Sequence, residues 1–324
     1  MPLVPLAQVL EEASKGGYGV GAFNVNNMEQ IQAIFKAAQE NRSPVIIQAS
    51  RGALKYTNLT YLKHLINAAA EENPNLPIVV HFDHGTVEAA KTAISLGFTS
   101  VMIDGSHLPF EDNIRVTREV VEYAHAHGVS VEAELGTLGG IEEDIQGEVQ
   151  LTDPAQAEEF VERTGCDALA VAIGTSHGAY KFKSKPKLAL DLITEIRRRT
   201  NVPLVMHGAS SVPQDLVATI NRYGGRLEDT FGVPIESIQA AIRLGISKIN
   251  VDTDIRLAAT AAVRRVFAEE PEKFDPREYM GPAREAMAEI VGLRMQQFGC
   301  AGHAQDYTPK TLEDYRRFYA EQGR

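Results

Sequence analysis

Residues 77–85 read PIVVHFDHG, and this segment sets the architecture that the sequence predicts. Its first half is a continuous apolar run, and its second half carries ionisable side chains and ends in a glycine. A short continuous apolar run is typical of a parallel strand that is buried on both faces. Seven further runs of this kind occur along the chain, at residues 19–25, 44–50, 100–106, 130–136, 168–174, 203–209 and 248–253.

Amphipathic segments with helical periodicity separate these runs, at residues 28–41, 59–72, 86–96, 110–127, 154–164 and 188–200 among others. Eight strand–helix units predict an α/β fold of the (β/α)8 TIM-barrel class. An open, doubly wound sheet has the same alternation, but the count of eight and the absence of a Gly-x-Gly-x-x-Gly turn after the first strand favour the barrel. We expect one domain over residues 1–324, with the barrel at about 19–268 and a C-terminal helical extension at about 269–324.

Two segments that follow strands are expected to be loops without regular structure. Residues 136–150 combine glycines with acidic side chains, and residues 178–187 carry four lysines. Loops that follow the strands of such a barrel surround its catalytic face. Flexible lids over active sites are commonly built in this way.

The chain of 324 residues has 43 acidic and 32 basic side chains, and its formal net charge is −11. This charge argues against nucleic acid or an anionic membrane surface as the main partner. No apolar run reaches the roughly 18 residues that a membrane span needs, and the N-terminus lacks the pattern of a secretory signal. The two cysteines, Cys166 and Cys300, are too few for a disulfide framework. We therefore expect a cytoplasmic protein.

Ionisable side chains collect where successive strands end, which is the catalytic face of such a barrel. Carboxylates stand on strands 4 and 5, and histidines at the ends of strands 3, 6 and 7, as His84, His177 and His207. Three imidazoles with an open fourth position are typical of a catalytic metal site. His81, by contrast, is expected to face the other side of strand 3 from Asp83 and to be structural.

Small and polar residues follow strands 6, 7 and 8, where barrels of this class often bind a phosphate group. Glycine backbone offers N–H donors with no side chain in the way, and a following helix N-terminus favours an anion. The candidates are Gly178, Gly208, Ala209, Ser210, Asn250, Val251, Asp252 and Thr253, with Ser50 at the end of strand 2 as a further one. Asp252 and Asp254 are alternatively N-caps of the eighth helix.

Seven segments occur in this order along the chain: GAFNVNN, HFDHG, SVMIDGS, EAELG, AIGTSHG, HGAS and KINVDTD. With this combination the chain closely resembles the class II, zinc-dependent fructose-1,6-bisphosphate aldolases, from about residue 19 to residue 299. The resemblance implies reversible, metal-dependent aldol cleavage of D-fructose 1,6-bisphosphate to dihydroxyacetone phosphate and D-glyceraldehyde 3-phosphate, in glycolysis, gluconeogenesis or the Calvin cycle. Tagatose 1,6-bisphosphate and sedoheptulose 1,7-bisphosphate are alternative substrates for the same chemistry.

The resemblance also implies metal and catalytic roles for individual residues. The catalytic Zn²⁺ would be held by His84, His177 and His207, and a second or alternate divalent position would be formed by Asp104 and Glu134. Asp83 would be the acid/base at the C4 hydroxyl. Glu142 would be the loop carboxylate that handles the C1 proton of dihydroxyacetone phosphate, with the adjacent Glu143 as the alternative.

The substrate-binding residues that the resemblance implies lie on the loops after the strands: Asn24, Ser50, Gly178, Gly208, Ala209, Ser210, Asn250, Val251, Asp252 and Thr253. Arg256 and Arg277 are candidate partners for the second phosphate, from this subunit or a neighbouring one. The family also tends to hold a monovalent cation, K⁺ or Na⁺, beside the phosphate. A homodimer or homotetramer that forms through the C-terminal helices is expected.

Three other kinds of function compete with this interpretation. A Schiff-base aldolase needs a lysine at the top of a strand, whereas Lys248 is expected to begin strand 8 at the opposite end. A zinc hydrolase of the amidohydrolase type would carry His-x-His on strand 1, where this chain has Phe23-Asn24-Val25. A non-catalytic sugar-phosphate binder would keep the glycine loops but would not need Asp83 and three histidines.

Overall fold

The computed structural model describes residues 3–142, 145–147, 150–177 and 186–323. Within these residues the strands are β1 (Val20–Asn24), β2 (Val45–Ser50), β3 (Ile78–Gly85), β4 (Ser100–Ile103), β5 (Ser130–Leu135), β6 (Gly139–Glu142), β7 (Ile145–Gly147), β8 (Ala168–Val171), β9 (Ser176–His177), β10 (Leu204–Met206) and β11 (Ile246–Val251). Eight of them form a closed barrel in the order β1-β11-β10-β8-β5-β4-β3-β2. Because β1 pairs in parallel with both β2 and β11, the barrel is closed and the open-sheet alternative is excluded.

The helices in the described residues are α1 (Leu6–Gly16), α2 (Met28–Asn41), α3 (Arg51–Thr57), α4 (Leu59–Glu72), α5 (Val87–Ser95), α6 (Phe110–His125), α7 (Pro154–Thr164), α8 (Leu190–Thr200), α9 (Gln214–Arg222), α10 (Ile235–Leu244), α11 (Thr253–Glu269), α12 (Pro276–Phe298) and α13 (Leu312–Glu321). Several begin at a side chain that accepts a backbone N–H, as Asn27, Thr86 and Asp153 do. The last two form the predicted C-terminal extension, in which α12 packs on α2 and α11, and α13 packs on α6. No helix among the described residues has both the length and the apolar character that a membrane crossing requires.

The N-terminal segment closes one end of the barrel. Val4 N donates to the carbonyl of Ile78, at the start of β3, over 2.9 Å, and Ala7 N donates to Ser130 Oγ, at the start of β5, over 3.0 Å. Helix α1 also contacts β1 and β11, so it lies across strands from different sides of the barrel. These contacts are at the N-terminal ends of β3 and β5, which leaves the other end of the barrel for the site.

Segments that follow β5 and β8 in the chain form a small second sheet. Strands β6 and β7 pair as an antiparallel hairpin, and β6 pairs in parallel with β9. The expectation of a structureless loop over residues 136–150 is therefore wrong for 139–142 and 145–147. The sheet forms because Gly139 and Gly140 lie beside Ser176 and His177, a pairing between segments far apart in the sequence. The other expected loop, residues 178–187, lies outside the described residues except for Pro186 and Lys187.

Candidate metal centre and active site

Two consecutive residues at the end of β3 face the same site. Phe82 pairs with Val101 and Gly85 with Ile103, so β3 has one more residue than β4 between these pairs. Such a bulge re-aims side chains, and here His84 has the left-handed φ of 50° that L residues rarely adopt. As a result, ligand atoms of Asp83, His84 and His207 all lie within 4.8 Å of one another, and all three residues are buried.

His84 and His207 each turn one ring nitrogen towards the other. His84 Nδ1 lies 3.1 Å from Asp104 Oδ2, and His207 Nε2 lies 2.6 Å from Glu132 Oε1. Because a carboxylate only accepts hydrogen bonds, each of these nitrogens donates, and in a neutral imidazole the opposite nitrogen is then the acceptor. Those opposite atoms, His84 Nε2 and His207 Nδ1, are 3.0 Å apart. For neutral rings two acceptor atoms therefore face each other, and a cation beside both would stabilise them, so the pair fits a metal ion.

A second group of ligand atoms shares His84 with the first. Atoms of His84, Asp104 and Glu134 lie within 4.8 Å of one another, and all three residues are buried. Burial by itself would raise the pKa of Asp104, but the hydrogen bonds from His84 and from the Ser106 hydroxyl and backbone N–H lower that pKa well below its usual range. Asp104 is therefore anionic at neutral pH, as a ligand of a divalent cation must be.

Three side-chain amides hold the Asp83 carboxylate. Asn24 Nδ2 and Gln48 Nε2 donate to Oδ2 over 3.3 Å and 3.1 Å, and Asn250 Nδ2 donates to Oδ1 over 3.4 Å. Gln48 also donates to Asn24 Oδ1 over 2.7 Å, which fixes both amides. Sequence reasoning missed Gln48, although a glutamine within the apolar run VIIQAS was the available signal.

Beside the group formed by Asp83, His84 and His207, the barrel interior contains a fully buried ionic cluster. Lys248 Nζ lies 2.9 Å from Glu132 Oε2, and His81 Nε2 lies 3.5 Å from the same oxygen. Burial, with Lys248 nearby, lowers the pKa of His81 to about 3, so the ring is neutral. Burial opposes ionisation of Glu132, but Lys248 and the two histidine rings keep its pKa well below the usual range.

The sequence analysis misplaced two side chains of this cluster. His81 was expected on the opposite side of the strand from Asp83, but residues two apart in a strand face the same way, and His81 lies inside the barrel. Lys248 was expected to begin strand 8, whereas β11 starts at Ile246 and Lys248 lies within it. Its side chain is 0% exposed and is held by Glu132, so it is not presented as a nucleophilic amine.

The loops after β10 and β11 are held together by buried contacts. Ser210 Oγ accepts the backbone N–H of Asp252 over 3.2 Å. Asp254 accepts the backbone N–H groups of Ser211 and Val212 over 3.2 Å and 2.9 Å, and its carboxylate pairs with Arg294 at 2.9 Å. Asp254 is thus not an N-cap of α11; it fastens the loop after β10 to that helix. Asp252 occupies the N-cap position, but its side chain makes no capping hydrogen bond.

The structure gives a second reason for a glycine at position 208, besides the approach of a phosphate group that the sequence indicated. Its φ is 58°, and a Cβ at this position would lie 2.5 Å from the carbonyl oxygen of Ser176. The backbone that follows His207 therefore touches the backbone that precedes His177. This close approach joins the loops after β8 and β10.

The remaining predicted site residues have the following places. Ser50 is the register partner of Asp83 and accepts the Ala53 N–H at the start of α3. Ala209 and Val251 are buried, and Thr253 begins α11.

The two candidate arginines each pair with a nearby aspartate. Arg256 forms an ion pair with Asp252 at 2.6 Å, and the Arg277 side chain, 90% exposed, pairs with Asp275. Among the described contacts, none joins Arg277 to the site. Glu142 lies on β6 and His177 on β9 by their backbones, while Gly178 and Glu143 lie outside the described residues.

Comparison with known proteins gives one consistent family. Residues 4–303 match the family described as fructose-bisphosphate aldolase class-II. The chain is 61% identical over 322 residues to a fructose-bisphosphate aldolase of Giardia intestinalis (98% of this chain, 100% of that protein). It is 54% identical over 346 residues to a fructose-bisphosphate aldolase of Nostoc commune (99% of this chain, 96% of that protein).

A solved structure gives the same result. The crystal structure of the YdjI aldolase from Escherichia coli K12 superposes with a TM-score of 0.78 at 34% identity, covering 94% of this chain and 100% of that one. The sequence resemblance is thus confirmed by full-length relatives and by the fold. This chain belongs to the class-II fructose-bisphosphate aldolase family.

Proposed function

We propose that this protein catalyses the reversible aldol cleavage of D-fructose 1,6-bisphosphate to dihydroxyacetone phosphate and D-glyceraldehyde 3-phosphate. The observation that carries the proposal is the buried group of Asp83, His84 and His207, whose ligand atoms lie within 4.8 Å of one another. This group brings a candidate proton acceptor, Asp83, close to two imidazole nitrogens that can bind a cation. The relatives at 61% and 54% identity are both named fructose-bisphosphate aldolase, which favours this substrate over tagatose or sedoheptulose bisphosphate.

The metal that we propose is Zn²⁺, since imidazole nitrogens suit this ion. His84, His207 and His177 would hold it, with Asp104 and Glu134 as the second or alternate divalent position. When bound, the ion supplies Lewis acidity at the ketose oxygens and so lowers the energy of the charge that develops there. The lowered pKa of Asp104 keeps its carboxylate in the anionic form that metal binding needs.

Asp83 is the proposed catalytic base. In the cleavage direction it takes the proton of the C4 hydroxyl while the C3–C4 bond breaks, and C4 becomes the aldehyde carbon. The electron pair of that bond remains with the dihydroxyacetone phosphate half, which is then protonated at carbon by the loop carboxylate, for which we propose Glu142, or Glu143 next to it. Asn24, Gln48 and Asn250 keep the Asp83 carboxylate oriented without adding a charge.

The two phosphates would bind on the loops after the strands. For the ketose phosphate we propose the residues after β8, β10 and β11, with a K⁺ or Na⁺ ion beside it: Gly178, Gly208, Ala209, Ser210, Asn250, Val251, Asp252 and Thr253. Asn24 and Ser50 would complete the substrate contacts. For the second phosphate we propose Arg256, or Arg277 from this or a neighbouring subunit, since the Arg277 side chain is 90% exposed. We propose a cytoplasmic homodimer or homotetramer with one domain per chain.

The direct test is the steady-state kcat/KM for fructose 1,6-, tagatose 1,6- and sedoheptulose 1,7-bisphosphate, measured side by side on the purified chain. We expect the fructose substrate to have the highest value. A higher kcat/KM for tagatose or sedoheptulose bisphosphate would show that this sugar is the preferred substrate, while the proposed reaction type would stand. The absence of carbon–carbon cleavage for all three, with zinc present, would refute the proposal.

A further inference from the structure

A buried ammonium group lies in the barrel interior without a role in the chemistry proposed above. Lys248 is 0% exposed, its Nζ lies 2.9 Å from Glu132 Oε2, and it donates to Asn250 Oδ1 over 2.8 Å. Burying an ion pair has a large desolvation cost, and an apolar pair of the same volume is often no less stable. Stability alone therefore gives little reason for this pair in the barrel interior.

The ammonium decides which oxygen of Glu132 faces the metal ligands. Lys248 occupies Oε2, and the other oxygen, Oε1, lies 2.6 Å from His207 Nε2. On the far side, His81 Nε2 is 3.5 Å from Oε2, and His81 Nδ1 is held by Ser100 Oγ at 2.8 Å. The ion pair of Lys248 with Oε2 therefore favours the orientation in which Oε1 faces His207.

The same ammonium decides the orientation of Asn250. Because Lys248 only donates hydrogen bonds, it selects the amide oxygen of Asn250. The amide nitrogen is then turned towards Asp83 Oδ1, at 3.4 Å, and His207 Nδ1, at 3.2 Å. One cation therefore orients two side chains, Glu132 and Asn250, that both contact His207.

We propose that Glu132 and Lys248 are positioning residues: together they hold His207 with its proton on Nε2, so that Nδ1 faces the metal. The inference rests on the proposed metal site at His84 and His207. Carboxylates that fix metal-binding histidines in this way contribute 10- to 100-fold to metal affinity. Because Lys248 pairs with Oε2 of Glu132, only Oε1 is left to accept the proton of His207 Nε2.

Glu132→Gln is a sharp test, because the amide has one oxygen and one NH2 group. Lys248 is expected to attract the amide oxygen, so the NH2 group faces His207 Nε2. That nitrogen must then accept, the proton moves to Nδ1, and the atom that faces the metal is blocked. In the double variant Glu132→Gln/Lys248→Met the amide is free to turn its oxygen back to His207.

The readout is Zn²⁺ affinity of metal-free protein in competition with a chromophoric chelator, together with the visible spectrum after Co²⁺ is added. We expect Glu132→Gln to bind Zn²⁺ about 10- to 100-fold more weakly than the wild type, and the double variant to bind about tenfold more tightly than Glu132→Gln. The matched control is Asp167→Asn. Asp167 Oδ2 accepts from His125 Nε2 over 2.9 Å and from Val131 N over 2.8 Å, so it is also a largely buried carboxylate–histidine pair, but it does not contact the metal ligands.

The result that overturns the proposal is Zn²⁺ affinity of Glu132→Gln within about twofold of the wild type. If that variant does not fold, nitrogen NMR of ¹⁵N-histidine in the wild-type zinc protein decides: we expect His207 to be protonated at Nε2, and protonation at Nδ1 would overturn the proposal. Failure of the underlying site is distinguishable, because His84→Ala and His207→Ala would then both keep wild-type Zn²⁺ affinity.

Discussion

Asp83 and His84 are neighbours in the chain, yet both reach one group of ligand atoms with His207. Residues that follow each other in a regular strand point to opposite faces. The extra residue in β3 and the left-handed φ of His84 remove this alternation at one position. The proposed base and the proposed metal ligand are therefore neighbours in the chain because of a local backbone conformation of the rare kind that is found at functional sites.

Removal of metal should abolish turnover. The 3.0 Å contact between His84 Nε2 and His207 Nδ1 fits a cation, and we expect EDTA to eliminate cleavage and added Zn²⁺ or Co²⁺ to restore it. The measurement is activity against metal content of the same samples. Full activity in protein from which all metal has been removed would contradict the metal-dependent reaction.

Asp83→Ala should reduce catalysis without reducing metal binding. We expect a loss of roughly 10²- to 10⁴-fold in kcat, the usual scale for general acid–base catalysis, with metal content unchanged. The three amides around Asp83 lose their acceptor, so the unfolding free energy should be measured as well. Near-wild-type turnover in a folded, metal-loaded variant would remove Asp83 from the mechanism.

Gly208→Ala should harm the protein more than an alanine at another glycine with positive φ. Gly208 has a φ of 58° and an added Cβ would lie 2.5 Å from Ser176 O, whereas at Gly97, with a φ of 93°, nothing lies within 4 Å of the added Cβ. Gly97→Ala therefore measures the cost of left-handed backbone, about 1–2 kcal/mol. A larger loss of unfolding free energy and a higher KM are expected for Gly208→Ala, and equal effects in both variants would show that the close approach does not matter.

Asp254→Asn should act through the loop after β10. It weakens the acceptor for the N–H groups of Ser211 and Val212 and leaves Arg294, only 3% exposed, without its anionic partner. Breaking a buried pair in this way costs about 3–5 kcal/mol, and we expect KM for the bisphosphate to rise more than kcat falls. Urea unfolding and steady-state kinetics measure the two effects. Asp254→Asn/Arg294→Met removes both charges and should regain stability, and if it does not, the ion pair is not the cause.

His81 should make metal-free protein less stable in acid. The pKa of His81 is lowered from 6.5 to about 3 by burial and by Lys248, so below pH 6.5 the unfolded chain binds a proton that the folded protein excludes. The unfolding free energy should fall by about 1.4 kcal/mol per pH unit from this group as the pH decreases from 6.5 towards 3.

The check is the pH dependence of urea unfolding for His81→Gln, which should be flatter than that of the wild type over this window. His127→Gln, which removes an exposed histidine, is the control and should keep the wild-type slope. Identical slopes in His81→Gln and the wild type would contradict a neutral His81 in the folded state.

The sequence predicted the barrel because its strands are buried on both faces and their apolar runs can be read directly. It also predicted that His84, Asp104, Glu134 and His207 come close, since the strand ends of a barrel meet. It gave the wrong face for His81, although residues two apart in a strand face the same way. It did not predict that Gln48 holds Asp83, because that contact crosses between strands. The hairpin β6–β7 was missed for the same reason, as it depends on pairing with β9.

Helix α1 covers the barrel at the end opposite the proposed site, where the N-terminal segment is held to the starts of β3 and β5. The side chains proposed for the chemistry and the contacts that hold α1 therefore belong to opposite ends of the same strands. In barrels of this class the end away from the site serves stability and not catalysis. Substitutions on α1 should therefore lower the unfolding free energy and leave the kinetics of the folded protein unchanged.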